Sequence, residues 1–223
     1  MALDQQFSQD DQIIRKNYYY RSIKRFADII FSLSILLVGF PFFLLFALLV
    51  KLSSVGPVFY VQERVGRNFS RFGCIKFRTM HPEAEDILNN LLEENSLLKE
   101  EFQKDFKLRN DPRITSIGKF LRRTSLDELP QFFNVLRGEM SVVGPRPIVP
   151  EEVERYGEFM EEVNSVRPGI TGLWQISGRN NLSYKRRISL DLVYVRQKNI
   201  WMDFRIIMRT FFVLLFPIDR GAY

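Results

Sequence analysis

The chain is short of the residues on which most metal and thiol chemistry depends. Its one cysteine, Cys74, excludes an internal disulfide and any multi-cysteine metal site. Its one histidine, His81, sits between Met80 and Pro82. That excludes HExxH zinc chemistry and leaves any imidazole relay dependent on a single loop residue. The G-x-x-x-x-G-K-[ST] phosphate loop and the G-x-G-x-x-G fingerprint are both missing. So is any Asp-x-Asp pair, which counts against the nucleotide-sugar transferases that hold a metal with one. If the chain is an enzyme, carboxylates and arginines do most of its work.

What is present divides cleanly. With 223 residues, 46% hydrophobic and 26% charged, the composition is that of one globular domain rather than a disordered chain. Residues 1–23 are polar, carry Arg15, Lys16 and Arg21, and show no apolar periodicity, so they read as a mobile arm. From Ile29 to Val50 there is no charge. Inserting the Leu, Ile, Phe and Val residues of that run into a bilayer is worth about −8 kcal/mol in total. It is long for a signal peptide and lacks an Ala-x-Ala-like cleavage site. A straight transmembrane helix is long enough to be one reading. Gly39 and Pro41 near the middle, and basic residues on both flanks, favour another, a kinked hairpin that enters and leaves by one leaflet. The residues alone leave both open.

Beyond the apolar run, Val58–Gln62 and Phe72–Arg78, separated by Gly66-Arg67-Asn68, predict a small β-hairpin. Residues 83–107 read as an exposed, acidic, amphipathic helix. Helices are expected over Ile114–Arg123, Ser125–Leu136, Glu151–Val163 and Ser183–Arg196. Trp201–Phe216 is too short to span and reads as an interfacial helix with Trp201 at headgroup depth. The fold class expected is α+β and mostly helical. It comprises an arm (1–23), a membrane segment (24–51) and a small catalytic domain (52–223).

The most informative stretch is Arg122-Arg123-Thr124-Ser125-Leu126-Asp127-Glu128-Leu129-Pro130. Ser125 and Glu128 have the S-x-x-E spacing of a capping box, which alone is an ordinary helix start. The same spacing puts Asp127 and Glu128 in a first helical turn, beside backbone N–H groups that favour anions. With arginines just upstream, that suits phosphoryl chemistry with a divalent ion. Ser141-Val142-Val143-Gly144-Pro145-Arg146-Pro147 reads as a short strand running into a rigid loop that presents Arg146. Arg167-Pro168-Gly169 and Ser177-Gly178-Arg179-Asn180 are further Arg-bearing turns; each is weak alone, but together they suggest an anion pocket. Trp174 reads as a core or membrane contact rather than a substrate platform, and Cys74 as a buried strand residue.

These pieces carry a resemblance. Lys24-Arg25-Phe26-Ala27-Asp28, Lys76-Phe77-Arg78-Thr79-Met80, Ser125–Gln131, Phe133–Ser141, Val143–Pro147, Arg167–Gly172 and Ser177–Asn180 occur in order over most of the chain. Together they resemble the bacterial sugar transferases, the monotopic phosphoglycosyl transferases. The resemblance implies transfer of a sugar-1-phosphate from a UDP-sugar to undecaprenyl phosphate with release of UMP, at the cytoplasmic face of the bacterial inner membrane. It implies Asp127 as nucleophile and Glu128 as its partner, with Mg²⁺ held by both. Arg122 and Arg146 are then phosphate contacts, and Arg78, Arg179 and Asn180 further substrate contacts. It implies a re-entrant membrane helix broken at Gly39 and Pro41, although Phe40 stands where some members have Ser before the proline. The Gly221-Ala222-Tyr223 ending is similar to that of hexose-1-phosphate transferring members, galactose or glucose being undecided. A homodimer is compatible with it.

Two other classes predict different behaviour. A non-catalytic scaffold of an export assembly needs only the anchor and tolerates loss of Asp127 and Glu128. A nucleic-acid binder could use the net charge of +6. Aromatics are not interleaved with a basic patch, however, and an anionic leaflet accounts for the positive flanks. No nucleic-acid partner is expected.

Overall fold

One helix, α1 (Ala2–Ser53), carries the whole apolar segment. The structure is a computed structural model that describes residues 2–105, 108, 111–178 and 182–215. Arg179, Asn180 and the Gly221-Ala222-Tyr223 ending lie outside the described residues. Between Tyr19 and Ser53 the mean hydropathy reaches 2.8, long and apolar enough to cross a membrane. The backbone over the arm is helical from Ala2 and continuous with the apolar run. Extending a helix that is already formed costs far less than nucleating one. Gly39 and Pro41 lie inside this same helix. Side chains on both sides of the proline pack on the domain, Phe31 against Phe132 and Phe43 against Phe77.

The remainder is mostly helical, with two small two-stranded sheets. The hairpin forms as β1 (Phe59–Val65) and β2 (Arg71–Phe77), antiparallel, with Tyr60 opposite Lys76 and Gln62 opposite Cys74. Asn68 takes the left-handed conformation in its turn (φ 55°), which an asparagine tolerates well. The acidic segment is two helices, α2 (Ala84–Glu94) and α3 (Ser96–Asp105), because Asn95 breaks the first and accepts from the N–H groups of Leu97 and Leu98. α4 (Ser116–Thr124) and α5 (Gln131–Arg137) follow. β3 (Ser141–Val143) pairs in parallel with β4 (Gly169–Thr171). The helix expected over Glu151–Val163 is broken into single turns that include α6 (Val153–Tyr156) and α7 (Met160–Val163). The break falls at Gly157, whose φ is +53°. α8 (Tyr184–Gln197) and α9 (Ile200–Leu215) are the last described helices, α9 exposing Trp201, Phe204 and Phe212.

The main core gathers Phe72, Cys74, Phe132, Val135, Val143, Tyr194 and Ile206, and Phe31, Ile35 and Leu36 of α1 pack against it. A second cluster contains Phe46 and Val50 of α1 with Phe77 and Leu121. Polar contacts fasten the first end of α1. Asp203 accepts from Tyr20 Oη at 3.0 Å, Lys24 Nζ at 2.9 Å and Tyr194 Oη at 2.8 Å. Asp28 accepts from Ser141 Oγ at 2.8 Å and Val142 N at 3.1 Å. Arg25 caps the C-terminal carbonyls of α5 at Val135 and Leu136. At the other end of α1, Arg78 donates to Ser54 O at 2.7 Å and Val50 O at 3.4 Å. Both ends of the apolar segment therefore dock on one domain.

Candidate active site

Asp127 and Glu128 do not sit in a capped helix. Ser125 ends α4 in the left-handed conformation (φ 58°) and its side chain caps nothing. A tight 3₁₀ turn, Leu126–Glu128, then carries the two acids, and Pro130 precedes α5. A non-glycine residue held there costs on the order of 1 kcal/mol or more. The capping box fails because the Glu128 carboxylate has stronger partners than a backbone N–H. Lys76 Nζ, from β2, donates to it at 3.4 Å, and Arg146 Nη1 lies 3.6 Å away.

Each cation is itself positioned. Alternation along β2 points Lys76 to the same face as Cys74, towards the Leu126–Glu128 turn. Arg146 hangs from the Gly144–Pro147 loop after β3, where a Cβ on Gly169 would clash with the Gly144 backbone. Its guanidinium lies 5.9 Å from the Trp174 ring, and that of Arg187 lies 5.2 Å from the same ring. Arg64, from β1, donates to Pro147 O at 3.0 Å and Gln62 Oε1 at 2.6 Å, which braces that loop. Arg122 donates to Thr79 Oγ1 at 2.9 Å, and Arg113 makes a bidentate pair with Asp111.

The two acids are electrostatically unlike. Burial pushes the Asp127 carboxyl up, and the neighbouring Glu128 pushes it further, to about 6. Burial also acts to raise Glu128, but Lys76, Arg146 and Arg64 outweigh it and hold that carboxyl below its ordinary value. Among the described residues none hydrogen-bonds the Asp127 carboxylate, so it is the acid left open to a reactant. Glu128 is engaged as an organiser of cations.

Both acids border one cleft of about 1070 Å³ that also takes in Arg64, Lys76, Arg113, Arg122 and Arg146. The structure thus brings together Asp127, Glu128, Arg122 and Arg146 as the sequence suggested. Arg78 borders the same cleft, but the hydrogen bonds of its Nη2 go to the end of α1. Lys76 and Arg64 were missed as site residues. The signal for Lys76 was its place on an alternating strand; nothing local marked Arg64. Trp174 is buried, as expected of a core residue, yet its ring carries two arginines.

No cluster of three or more His, Cys, Asp or Glu side chains able to hold a metal occurs among the described residues. Glu128, hemmed in by cations, is a poor metal ligand. Asp127 fits Mg²⁺ in the way that ion is often held, by one carboxylate with substrate phosphates and water completing the shell.

Residues 19–217 match the family described as bacterial sugar transferase. The chain belongs to the bacterial sugar transferase family. It is 46% identical to the undecaprenyl-phosphate galactose phosphotransferase of Salmonella typhimurium, over 91% of this chain and 42% of that protein. It is 40% identical to the UDP-glucose:undecaprenyl-phosphate glucose-1-phosphate transferase of Escherichia coli, over 91% of this chain and 42% of that one. With the exopolysaccharide production protein ExoY of Rhizobium meliloti, identity is 44% over 90% of this chain and 88% of that protein. The sugar transferase chain thus spans about two-fifths of the length of several curated relatives, and nearly all of ExoY.

Proposed function

We propose that this sugar transferase moves a sugar-1-phosphate from a UDP-sugar to undecaprenyl phosphate and releases UMP, in the assembly of an extracellular glycan. The observation that carries the mechanism is the unequal pair: an acid with no hydrogen-bonded partner among the described residues, Asp127, beside one already neutralised by cations, Glu128. An Asp127 oxygen attacks the β-phosphorus of the donor. The bond from that phosphorus to the bridging oxygen breaks, and the electron pair leaves with UMP. An acyl phosphate carrying the sugar remains on Asp127. A phosphate oxygen of the lipid then attacks the same phosphorus, forming the diphosphate linkage and returning the free carboxylate. The intermediate lets a water-soluble donor and a lipid acceptor use one pocket in turn.

Lys76, Arg146 and Arg122 border the cleft where they can offset the repulsion between an anionic nucleophile and a diphosphate. Glu128 fixes the first two. Asp127 would hold a Mg²⁺ ion, which would supply further charge neutralisation.

The same reading makes the protein monotopic, with the domain on the cytoplasmic side. From Lys24 to Val50 a straight helix is about 39 Å long, more than a hydrocarbon core of about 30 Å. Lys24 and Val50 both touch the one domain that holds the charged cleft. Were α1 to span, that domain would have to cross with it. The UDP-sugar and the polyprenyl acceptor are tested together by UMP release from a panel of UDP-sugars with undecaprenyl phosphate and Mg²⁺. Mass spectrometry of donor-treated protein without acceptor tests the adduct. A phosphosugar mass on the peptide containing Asp127 is expected; turnover that never yields it and requires both substrates at once contradicts the covalent route.

A further inference from the structure

The cleft is chemically two-ended. Its charged wall comes from β1, β2 and the loops around Asp127 and Arg146. Its other wall comes from two helices that contribute no charge to it: Phe31 and Ile35 of α1, and Ile207, Phe211 and Leu214 of α9. Even the hydroxyls on that side are silenced. Thr210 Oγ1 donates to Ile206 O at 2.8 Å and lies 2.8 Å from Thr171 Oγ1, so the two threonines satisfy one another and the backbone. Among the described residues of these two helices none offers a nucleotide a cation there. The same helices expose apolar side chains on their outer surfaces, at Leu37 and Phe40 on α1 and at Trp201 and Phe204 on α9, with Arg205 and Arg209 exposed beside the latter pair. The apolar wall is thus continuous with a surface suited to acyl chains.

We infer that the slot between Phe31–Ile35 of α1 and Ile207–Leu214 of α9 is the entry path of the polyprenyl acceptor: the first isoprene units lie in it, the remainder of the tail stays in the bilayer, and the phosphate reaches Asp127. The inference rests on the proposed acceptor. It adds the helices that select for a long chain and that have no part in donor chemistry. The donor enters from the charged end, so the two substrates approach Asp127 from opposite directions.

The slot is tested by narrowing it. Ile207→Trp and Phe211→Trp, at successive turns of α9, place bulk in its wall, and Phe212→Trp on the exposed face serves as control. Each purified full-length variant is assayed in detergent with Mg²⁺ and UDP-sugar for turnover with undecaprenyl phosphate and with geranyl phosphate. Adduct formation without acceptor is measured in parallel. For both slot variants the ratio of long-chain to short-chain turnover is expected to fall about tenfold or more, the control staying near the unsubstituted protein. Adduct formation is expected to stay within about twofold, which also shows that the variants fold. An unchanged ratio in either folded variant overturns the slot, as does a fall of equal size in the Phe212→Trp control. Failure of the covalent reading looks different: the unsubstituted protein turns over both acceptors and gives no adduct, while the chain-length ratio still reports on the slot.

Discussion

Lys76 Nζ reaches across from β2 to the carboxylate of Glu128 at 3.4 Å, and this pair separates the roles of two adjacent acids. Glu128 spends its charge on Lys76 and on Arg146. Asp127, one residue earlier, keeps its charge for a reactant.

Asp127→Asn is expected to abolish both the phosphosugar adduct and UMP release while leaving the protein in the membrane fraction. Glu128→Gln is expected to slow adduct formation by about 10²–10³, the range found when a positioned electrostatic partner is removed, without eliminating it. Single-turnover mass spectrometry distinguishes the two. Equal and total loss in both would place Glu128 among the reacting groups.

Asp191, on α8, is fully buried and accepts from Tyr156 Oη at 3.1 Å. Its second oxygen has no partner among the described residues. Burial pushes its carboxyl up to about 8. The folded state therefore keeps a proton that the unfolded chain gives up near pH 4, and the contribution of this group to stability falls as pH rises from about 4 to about 8. Thermal unfolding in detergent should show a lower Tm at pH 9 than at pH 6, and Asp191→Asn should flatten that dependence. A variant that keeps the full slope would assign it to another group.

Asp28 ties α1 to β3, three to five residues before Arg146. Asp28→Ala leaves the Ser141 hydroxyl without that acceptor and the Val142 N–H unpaired in a buried place. A loss of about 1–3 kcal/mol is expected, read as a lower denaturant midpoint at unchanged m-value. Asp28→Asn, which keeps an acceptor oxygen, should recover part of it.

Topology has a direct test. With Cys74 replaced by Ala, single cysteines at positions 5 and 53 are expected to react with an impermeant maleimide only in inverted vesicles. Labelling of the two from opposite sides would make α1 a span.

The sequence by itself determined the long apolar helix, the hairpin, the run of helices and the four charged residues Arg122, Asp127, Glu128 and Arg146. These follow from uninterrupted apolarity, alternation and local motifs, all of which act over a few residues. It overreached where a local rule met a stronger distant partner. The S-x-x-E spacing at Ser125 promised a helix cap, but Lys76 and Arg146 draw Glu128 away because a charged pair at the edge of a cleft outcompetes one backbone N–H. Pro41 lies inside α1, and side chains on either side of it find partners in the domain. Only the tertiary structure could enlist Lys76 and Arg64, bring a tryptophan beneath Arg146, and leave Asp127 uncommitted. Those relationships join residues tens of positions apart, and no periodicity along a chain encodes which of its charges will meet.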